Sequence, residues 1–329
     1  MSLMSETIGR RAGIALLALA MLFLAGAPGL AQEYPARPVR FVVPSGPGIA
    51  TDLIMRLVVN KLNDRLNWNG VVENRPGGNF VIGMQHVLQS PADGYTVLGA
   101  VSSMAILPTS TKNLPFDVLR DFIPVTRTAN LQVVVVSGPA LAVTSLPELV
   151  AYAKANPGKL SFGSASAGSL NHLAGELLKQ STGIEMINIP YKNPTFVNDV
   201  IAGTLPLAFT TVSTVSPLVK AGRLRALGII GPKRSPVLPD VPTIAETGLP
   251  DVDADGWLGV MVRTGVPAAI VNRLNREIVA VMNLPEIREQ VIKSGSSPVG
   301  ESPEEFRVKF ESDVRRWAEV IRRANVIFE

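Results

Sequence analysis

Two stretches of this sequence repeat one plan, and that repetition constrains the fold more than any other feature. In the first, the apolar and β-branched run 39–43 leads through a turn of Pro, Ser and Gly into a stretch with helical spacing from Asp52. In the second, the run 159–162 leads through the small residues 163–169 into another helical stretch. Strands that alternate with helices form mostly parallel sheets. The spacing of about 115 residues between the two turns therefore predicts two α/β lobes built alike.

Both loops precede a predicted helix, and this position suits an anion. The first N–H groups of a helix have no partner within it, and the helix dipole is positive at that end. In open α/β sheets, ligands bind beyond the carboxyl ends of the strands, where both loops lie. The pair of loops predicts a cleft in which two lobes hold an anion. The alternative, that small residues merely close two tight turns, stays open.

The N-terminal segment has the pattern of an export signal. An arginine pair precedes the apolar run 12–25, and small residues flank a cleavage site after Ala31. The run is shorter than the roughly 20 residues that cross a bilayer. We expect residues 1–31 to be a cleaved signal peptide, by the general or the twin-arginine route, and the remaining chain to be exported.

Composition excludes several kinds of site. With no Cys in 329 residues, the chain can form no disulfide, thiolate nucleophile, iron–sulfur cluster or cysteine-linked lipid anchor. His86 and His172 are the only histidines, so a multi-histidine metal centre is not expected. The net charge is +4, without a basic run that would indicate nucleic-acid binding. We expect no metal, no cofactor and no nucleic-acid partner.

Two enzyme motifs are nearly present, and each fails at a defining position. The segment 46–48 is followed by Thr51 where a dinucleotide-binding motif requires its third glycine. Ser166 lies in a turn of small residues, but Ser164 stands where a serine hydrolase has the first glycine of its nucleophile motif. We expect no enzyme activity, and a secreted serine hydrolase that uses Ser166 is the alternative.

Several further motifs follow one another in the order typical of a single protein family. They include Asn-Arg-Pro-Gly-Gly-Asn at 74–79, Ala-Asp-Gly-Tyr-Thr at 92–96, Leu-Pro-Phe-Asp at 114–117, His-Leu-Ala-Gly-Glu at 172–176 and Leu-Pro-Asp-Val-Pro-Thr at 238–243. From about Tyr34 to the C-terminus, the sequence resembles tripartite tricarboxylate transporter substrate-binding proteins of the Bug (TctC-like) family. The set is specific as a whole, although no single motif is.

The resemblance implies an α/β, two-lobed periplasmic binding protein of the Venus-flytrap kind, type II-like, with mostly parallel sheets and a hinge. Lobe 1 would comprise residues 32–130 and 243–329, and lobe 2 residues 131–242. Four prolines within 231–242 indicate an extended connection or hinge. Such a protein would capture a small organic carboxylate in the periplasm and present it to the membrane subunits of a transporter. We expect it to be a monomer.

The residues that would hold the ligand follow from matching the family's loops to this sequence. They are Ser45, Gly46, Gly48, Ile49, Ala50 and Asp52 in the first loop, Ser102 and Ser103 after the third strand, Gly163, Ser164, Ser166, Ser169 and Asn171 in the second loop, and Thr210 and Thr211. Main-chain groups, hydroxyls and bridging waters would bind the carboxylate. His172 is expected to have a structural role.

This sequence departs from the family at positions that bear on the ligand. The family usually has Gly where Ile49 stands, and often Asp-Asn where Thr210 and Thr211 stand. A bulky side chain in the first loop, and the loss of an acidic partner for an amino group, favour a carboxylate with an apolar or aromatic body over an amino acid. We consider a dicarboxylate and an aromatic carboxylate. A ligand sensor that docks on a receptor without serving transport is a further alternative.

Overall fold

The computed structural model describes residues 34–165, 168–191, 195–250 and 252–326. The chain from Arg37 onward forms one unit, and every element below belongs to it. In this described part, no helix has both the length and the hydropathy needed to span a bilayer. The predicted signal peptide, residues 1–31, lies outside the described residues.

The described residues form eleven strands and ten α-helices. The strands are β1 (Arg40–Val43), β2 (Val71–Asn74), β3 (Thr96–Val101), β4 (Phe122–Leu131), β5 (Val133–Ser137), β6 (Ser161–Ser164), β7 (Ile187–Pro190), β8 (Leu207–Thr211), β9 (Arg225–Ile229), β10 (Gly256–Arg263) and β11 (Ser296–Pro298). The helices are α1 (Ala50–Leu66), α2 (Val81–Gln89), α3 (Leu107–Ser110), α4 (Leu146–Ala155), α5 (Leu170–Thr182), α6 (Phe196–Ala202), α7 (Val212–Lys220), α8 (Ala268–Met282), α9 (Pro285–Lys293) and α10 (Pro303–Ala324).

Two sheets divide the strands into two lobes. Lobe 1 is built on a six-stranded sheet of order β11-β4-β10-β3-β1-β2, and lobe 2 on a five-stranded sheet of order β7-β6-β8-β5-β9. β1 pairs in parallel with β2 and β3, as β6 does with β7 and β8. Each of these central strands leads through a short loop into a helix, α1 or α5. The predicted two-lobed α/β fold, with lobes built alike, is confirmed.

Most strands of each sheet run in one direction, as predicted, but both sheets are mixed, because each contains strands that run against the others. β10 runs antiparallel to β3 and β4, β11 antiparallel to β4, and β5 antiparallel to β8 and β9. β5 and β10 are the first strands after the chain passes from one lobe to the other. Such a strand starts at the sheet edge that faces the other lobe, where the carboxyl ends of the parallel strands lie, so it must run in the opposite direction.

The first passage between the lobes is short. β4 of lobe 1 ends at Leu131 and β5 of lobe 2 begins at Val133, so Gln132 alone connects them. Its side-chain amide donates a 2.6 Å hydrogen bond to the carbonyl of Lys233 in the proline-rich segment 231–242. That segment therefore lies against the first passage, and its Leu238 is buried in the lobe 2 core with Val134 and Ile229.

The second passage lies beyond the proline-rich segment. After β9 the chain remains bonded to lobe 2, because the amide of Ile244 donates to Ile229 O at 2.8 Å and that of Ala254 to Ile230 O at 3.0 Å. β10 of lobe 1 begins two residues later. The division at residues 130/131 and 242/243 stays a prediction, and for its second boundary we propose a passage at Asp255.

Helix α10 of lobe 1 also contacts lobe 2. Its buried Phe306 packs edge-on against Trp257 of β10, with ring centroids 4.9 Å apart. Further along the helix, the side-chain amide of Gln180 in α5 donates to Val320 O at 3.1 Å. The lobes are thus connected by two backbone passages and by the packing of α10 against α5.

Asp255, at the second passage, carries an unusual carboxyl. Its Oδ1 atom is buried without a hydrogen-bond partner within the described residues. Burial, together with the neighbouring Asp253 carboxylate, raises the pKa of Asp255 to about 8, although Lys309 and Arg316 act in the opposite direction. The fold therefore stabilises the protonated form of the Asp255 carboxyl.

This pKa predicts a pH-dependent free energy of unfolding. Because the folded-state pKa lies above the unfolded value, the contribution of Asp255 is fully present below about pH 4 and is lost as the pH rises to about 8. Asp255→Asn should match the wild type near pH 4 and exceed it increasingly toward pH 8, by up to about 1.4 kcal/mol per pH unit. Urea unfolding at several pH values, with Asp64→Asn as control, measures this; a difference that does not change with pH would contradict it.

Candidate functional site

A cleft of about 1780 Å³ lies between the lobes, at the carboxyl ends of the parallel strands. Eight of the predicted site residues line it: Gly48, Ile49, Ala50, Ser102, Ser103, Ser169, Asn171 and Thr211. The structure therefore brings together the two predicted loops and the serines after β3. Their role in ligand binding stays a prediction.

Six other predicted site residues do not line the cleft: Ser45, Gly46, Asp52, Gly163, Ser164 and Thr210. A Cβ atom on Gly163 would come within 2.7 Å of Leu205 Cδ2, so this glycine allows β6 to pack against its own lobe. The hydroxyl of Ser164 contacts Asn188 Oδ1 at 2.7 Å, and Thr210 is buried. Ser166 lies outside the described residues.

Asp52 holds the first loop of lobe 1 in place from the side that faces away from the cleft. It is the third residue of α1, is 2% exposed, and accepts hydrogen bonds from the Gly48 amide at 2.9 Å and from Asn74 Nδ2 at 2.9 Å. Arg56 donates to the same carboxylate at 3.0 Å. Burial alone would raise the pKa of Asp52, but the hydrogen bonds from Arg56, Gly48 and Asn74 outweigh it and lower the pKa. The carboxylate is thus fully engaged and holds Gly48 in place.

The loop of lobe 2 has the same local geometry. The amide of Gly168 donates to Nδ1 of His172, the third residue of α5, at 3.0 Å. Gly48 and Gly168 both have positive φ, 83° and 70°, a conformation that glycine adopts without strain. The following N-cap residues, Ile49 and Ser169, are both extended. In each lobe a side chain at the third helical position therefore holds the glycine that begins the turn.

The charged groups on the lobe 2 wall neutralise one another. Glu176 is 5% exposed, and its Oε1 lies 2.8 Å from Lys179 Nζ and 3.6 Å from His172 Nε2. Burial would raise the pKa of Glu176, but the interactions with His172 and Lys179 lower it overall. Glu176 is the only acidic residue among the described residues that line the cleft, and it already has its cation.

Two buried hydroxyls face the cleft without a protein partner. Thr51, at the second position of α1, is 6% exposed, and Ser102, directly after β3, is 4% exposed. Both line the cleft, and neither hydroxyl has a hydrogen-bond partner within the described residues. Sequence reasoning found Ser102 and missed Thr51. The available signal was a hydroxyl residue in the first helical turn after the glycine loop.

The hydroxyl of Thr211 is engaged within lobe 2. Its Oγ1 lies 2.9 Å from Ser213 Oγ and 2.9 Å from Thr214 Oγ1, at the start of α7. All three residues line the cleft. Lobe 2 therefore presents a cluster of hydroxyls to the cleft.

Replacing Asp52 tests its role in holding the first loop. Asp52→Ala removes the acceptor of the Gly48 amide and leaves Arg56 and Asn74 without their partner, so the free energy of unfolding should fall by about 2–3 kcal/mol. Asp64→Ala, an exposed acidic position on the same helix, should change it by less than about 0.5 kcal/mol. Urea unfolding at pH 7 measures both, and equal losses in the two variants would refute the role.

Comparisons with known proteins agree with this architecture. BugT of Bordetella pertussis is 36% identical over 315 residues, which cover 93% of this chain and 96% of BugT. The structure of R. palustris Rpa4515 with adipate superposes with a TM-score of 0.82 at 31% identity, covering 90% of this chain and all of that chain. The structure of the periplasmic binding protein BugD gives a TM-score of 0.78 at 28% identity, with the same coverage.

The family model described as "Tripartite tricarboxylate transporter family receptor" matches residues 54–326. The similar structures are those of binding proteins and not of enzymes. The resemblance of the sequence motifs is therefore confirmed, and the chain belongs to the tripartite tricarboxylate transporter family of receptors, the Bug and TctC solute-binding proteins.

Proposed function

We propose that this protein is an extracytoplasmic solute-binding protein that captures a small organic carboxylate in the cleft and delivers it to the membrane subunits of a tripartite tricarboxylate-type transporter. The observation that carries the proposal is the pair of equivalent loops, one from each lobe, that place the N-termini of α1 and α5 at one cleft. Rpa4515, which shares the fold at 31% identity, was solved with adipate, a carboxylate.

The chemistry of the cleft suits a carboxylate. Ile49 gives α1 no side-chain cap, so the first amides of that helix remain available as donors. The hydroxyls of Thr51 and Ser102 add two donors beside them. A helix N-terminus is positive, and its backbone donors and bridging waters can hold an anion without a basic side chain.

Delivery requires that the lobes open and close around the ligand. Gln132 and Asp255, at the two passages between the sheets, are the positions about which one lobe can turn relative to the other.

We further propose export to the periplasm by a cleaved signal peptide, residues 1–31, and a monomeric protein. The hydrolase alternative is set aside because the similar proteins are not enzymes, and the receptor-docking alternative has no support of its own in the described residues.

Thermal unfolding of the mature protein against a panel of carboxylates tests the proposal. A ligand at 100 times its Kd should add about 2.7 kcal/mol to the free energy of unfolding, because it binds only the folded state. We expect at least one carboxylate to raise the Tm, whereas the matching alcohols and amides should not. If no member of a broad carboxylate panel shifts the Tm, the proposed function is wrong.

The two unpartnered hydroxyls should contribute directly to affinity. Thr51→Val and Ser102→Ala each remove one donor to the carboxylate and should weaken binding by about 2- to 10-fold, with little change in the free energy of unfolding. Thr109→Val, an exposed position outside the cleft, serves as the control. Isothermal titration of the carboxylate found in the panel gives the Kd values of the wild type and the three variants, and unchanged affinity in both cleft variants would remove these hydroxyls from the site.

A further inference from the structure

The wall of lobe 1 that faces the cleft exposes apolar side chains. Ile49 is 46% exposed and Leu53 is 52% exposed, and both line the cleft. They lie four residues apart at the start of α1, so their side chains share one face of the helix. Among the large apolar side chains that are exposed in the described chain, these are the two that line the cleft.

Phe80 reaches the same cleft from the loop before α2. Its backbone is left-handed, with φ 76° and ψ −15°, which is rare for a bulky residue. Gly77, Gly78 and Asn79 before it also have positive φ, so four successive residues form this turn. Gly78, Asn79 and Phe80 all line the cleft. The turn therefore fixes an aromatic side chain on lobe 1 beside the ligand volume.

The acidic side chains near this wall are already paired. Arg56, one turn beyond Asp52, donates to Asp52 and to Asn74 Oδ1, the latter at 2.9 Å. Glu176, the only acidic side chain among the described lining residues, is bonded to Lys179. An ammonium group on the ligand would thus meet no free carboxylate. A ligand hydroxyl that lies directly against Ile49 and Leu53 would lose its water there, because neither side chain can donate or accept a hydrogen bond.

We propose that Ile49, Leu53 and Phe80 bind the hydrocarbon body of the ligand, so that the cleft selects carboxylates with an unsubstituted aliphatic or aromatic body over hydroxy acids and amino acids of the same length. This inference rests on the proposed function. Its physical basis is the transfer of apolar surface from water, which should raise affinity about fourfold for each methylene that becomes buried.

Matched ligands separate this selectivity from carboxylate binding as such. Succinate, malate and aspartate share one carbon skeleton and differ by a hydrogen, a hydroxyl or an ammonium group. Isothermal titration should give the order succinate, then malate, then aspartate, with at least tenfold between the first and the last. Along succinate, glutarate and adipate, the Kd should fall by about fourfold per methylene until the apolar wall is covered.

A double variant and a control variant test whether Ile49 and Leu53 provide this selectivity. The double variant Ile49→Ala with Leu53→Ala removes the apolar surface, and alanine adds no N-cap where isoleucine also supplied none. It should weaken adipate binding at least tenfold and malate binding less than threefold. Val308→Ala is the matched control, because Val308 is 53% exposed on α10 and does not line the cleft.

The outcomes distinguish the two levels of the proposal. If aspartate or malate binds as tightly as succinate, or if the double variant weakens all ligands equally, the side chains serve lobe closure and not ligand selection, and the inference is wrong while the proposed function stands. If no carboxylate binds the unaltered protein, the proposed function fails and the inference fails with it.

Discussion

The cleft between the lobes depends on one interaction that occurs once in each lobe, a glycine amide that donates to the side chain at the third position of the following helix. Asp52 accepts from Gly48 in lobe 1, and His172 accepts from Gly168 in lobe 2. Each bond closes a tight turn whose glycine has positive φ. Because the acceptors lie at the helix start, the turn keeps the helix N-terminus directed at the cleft. A carboxylate and an imidazole perform the same task, since both offer an unprotonated acceptor at that position.

The sequence predicts those parts of the fold whose signals are local. The runs around β1 and β6, their small-residue loops and the start of α1 and α5 were predictable, because a strand, a turn and a helix each have a short-range pattern. The direction of β5 and β10 was not predictable in that way. It depends on the passage of the chain between the lobes, which no local pattern records.

The site residues show the same limit at the level of single side chains. Asp52 lies at the start of α1 and Gly163 at the end of β6, beside the two loops, but Asp52 bonds behind its loop and Gly163 faces the packed interior of lobe 2. Thr51, the neighbour of Asp52, lines the cleft instead. Sequence indicates which loops border the cleft, whereas the side-chain direction that separates adjacent positions is set by the helix start and by what packs behind it.

The passage between lobes and the floor of the cleft meet at Gly256, the first residue of β10. A Cβ atom there would lie 2.8 Å from Ser102 Oγ of lobe 1 and closer still to Leu170 at the start of α5 in lobe 2. A side chain at this position would displace Leu170 or Ser102, so glycine lets β10 pass between the cleft serine and the helix of the opposite lobe. Any rotation about the neighbouring Asp255 shifts Leu170 relative to Ser102. The same few atoms thus determine both the contacts that the ligand would use and the angle between the lobes. A ligand that bridges Ser102 and the loop before α5 would therefore act directly on that angle.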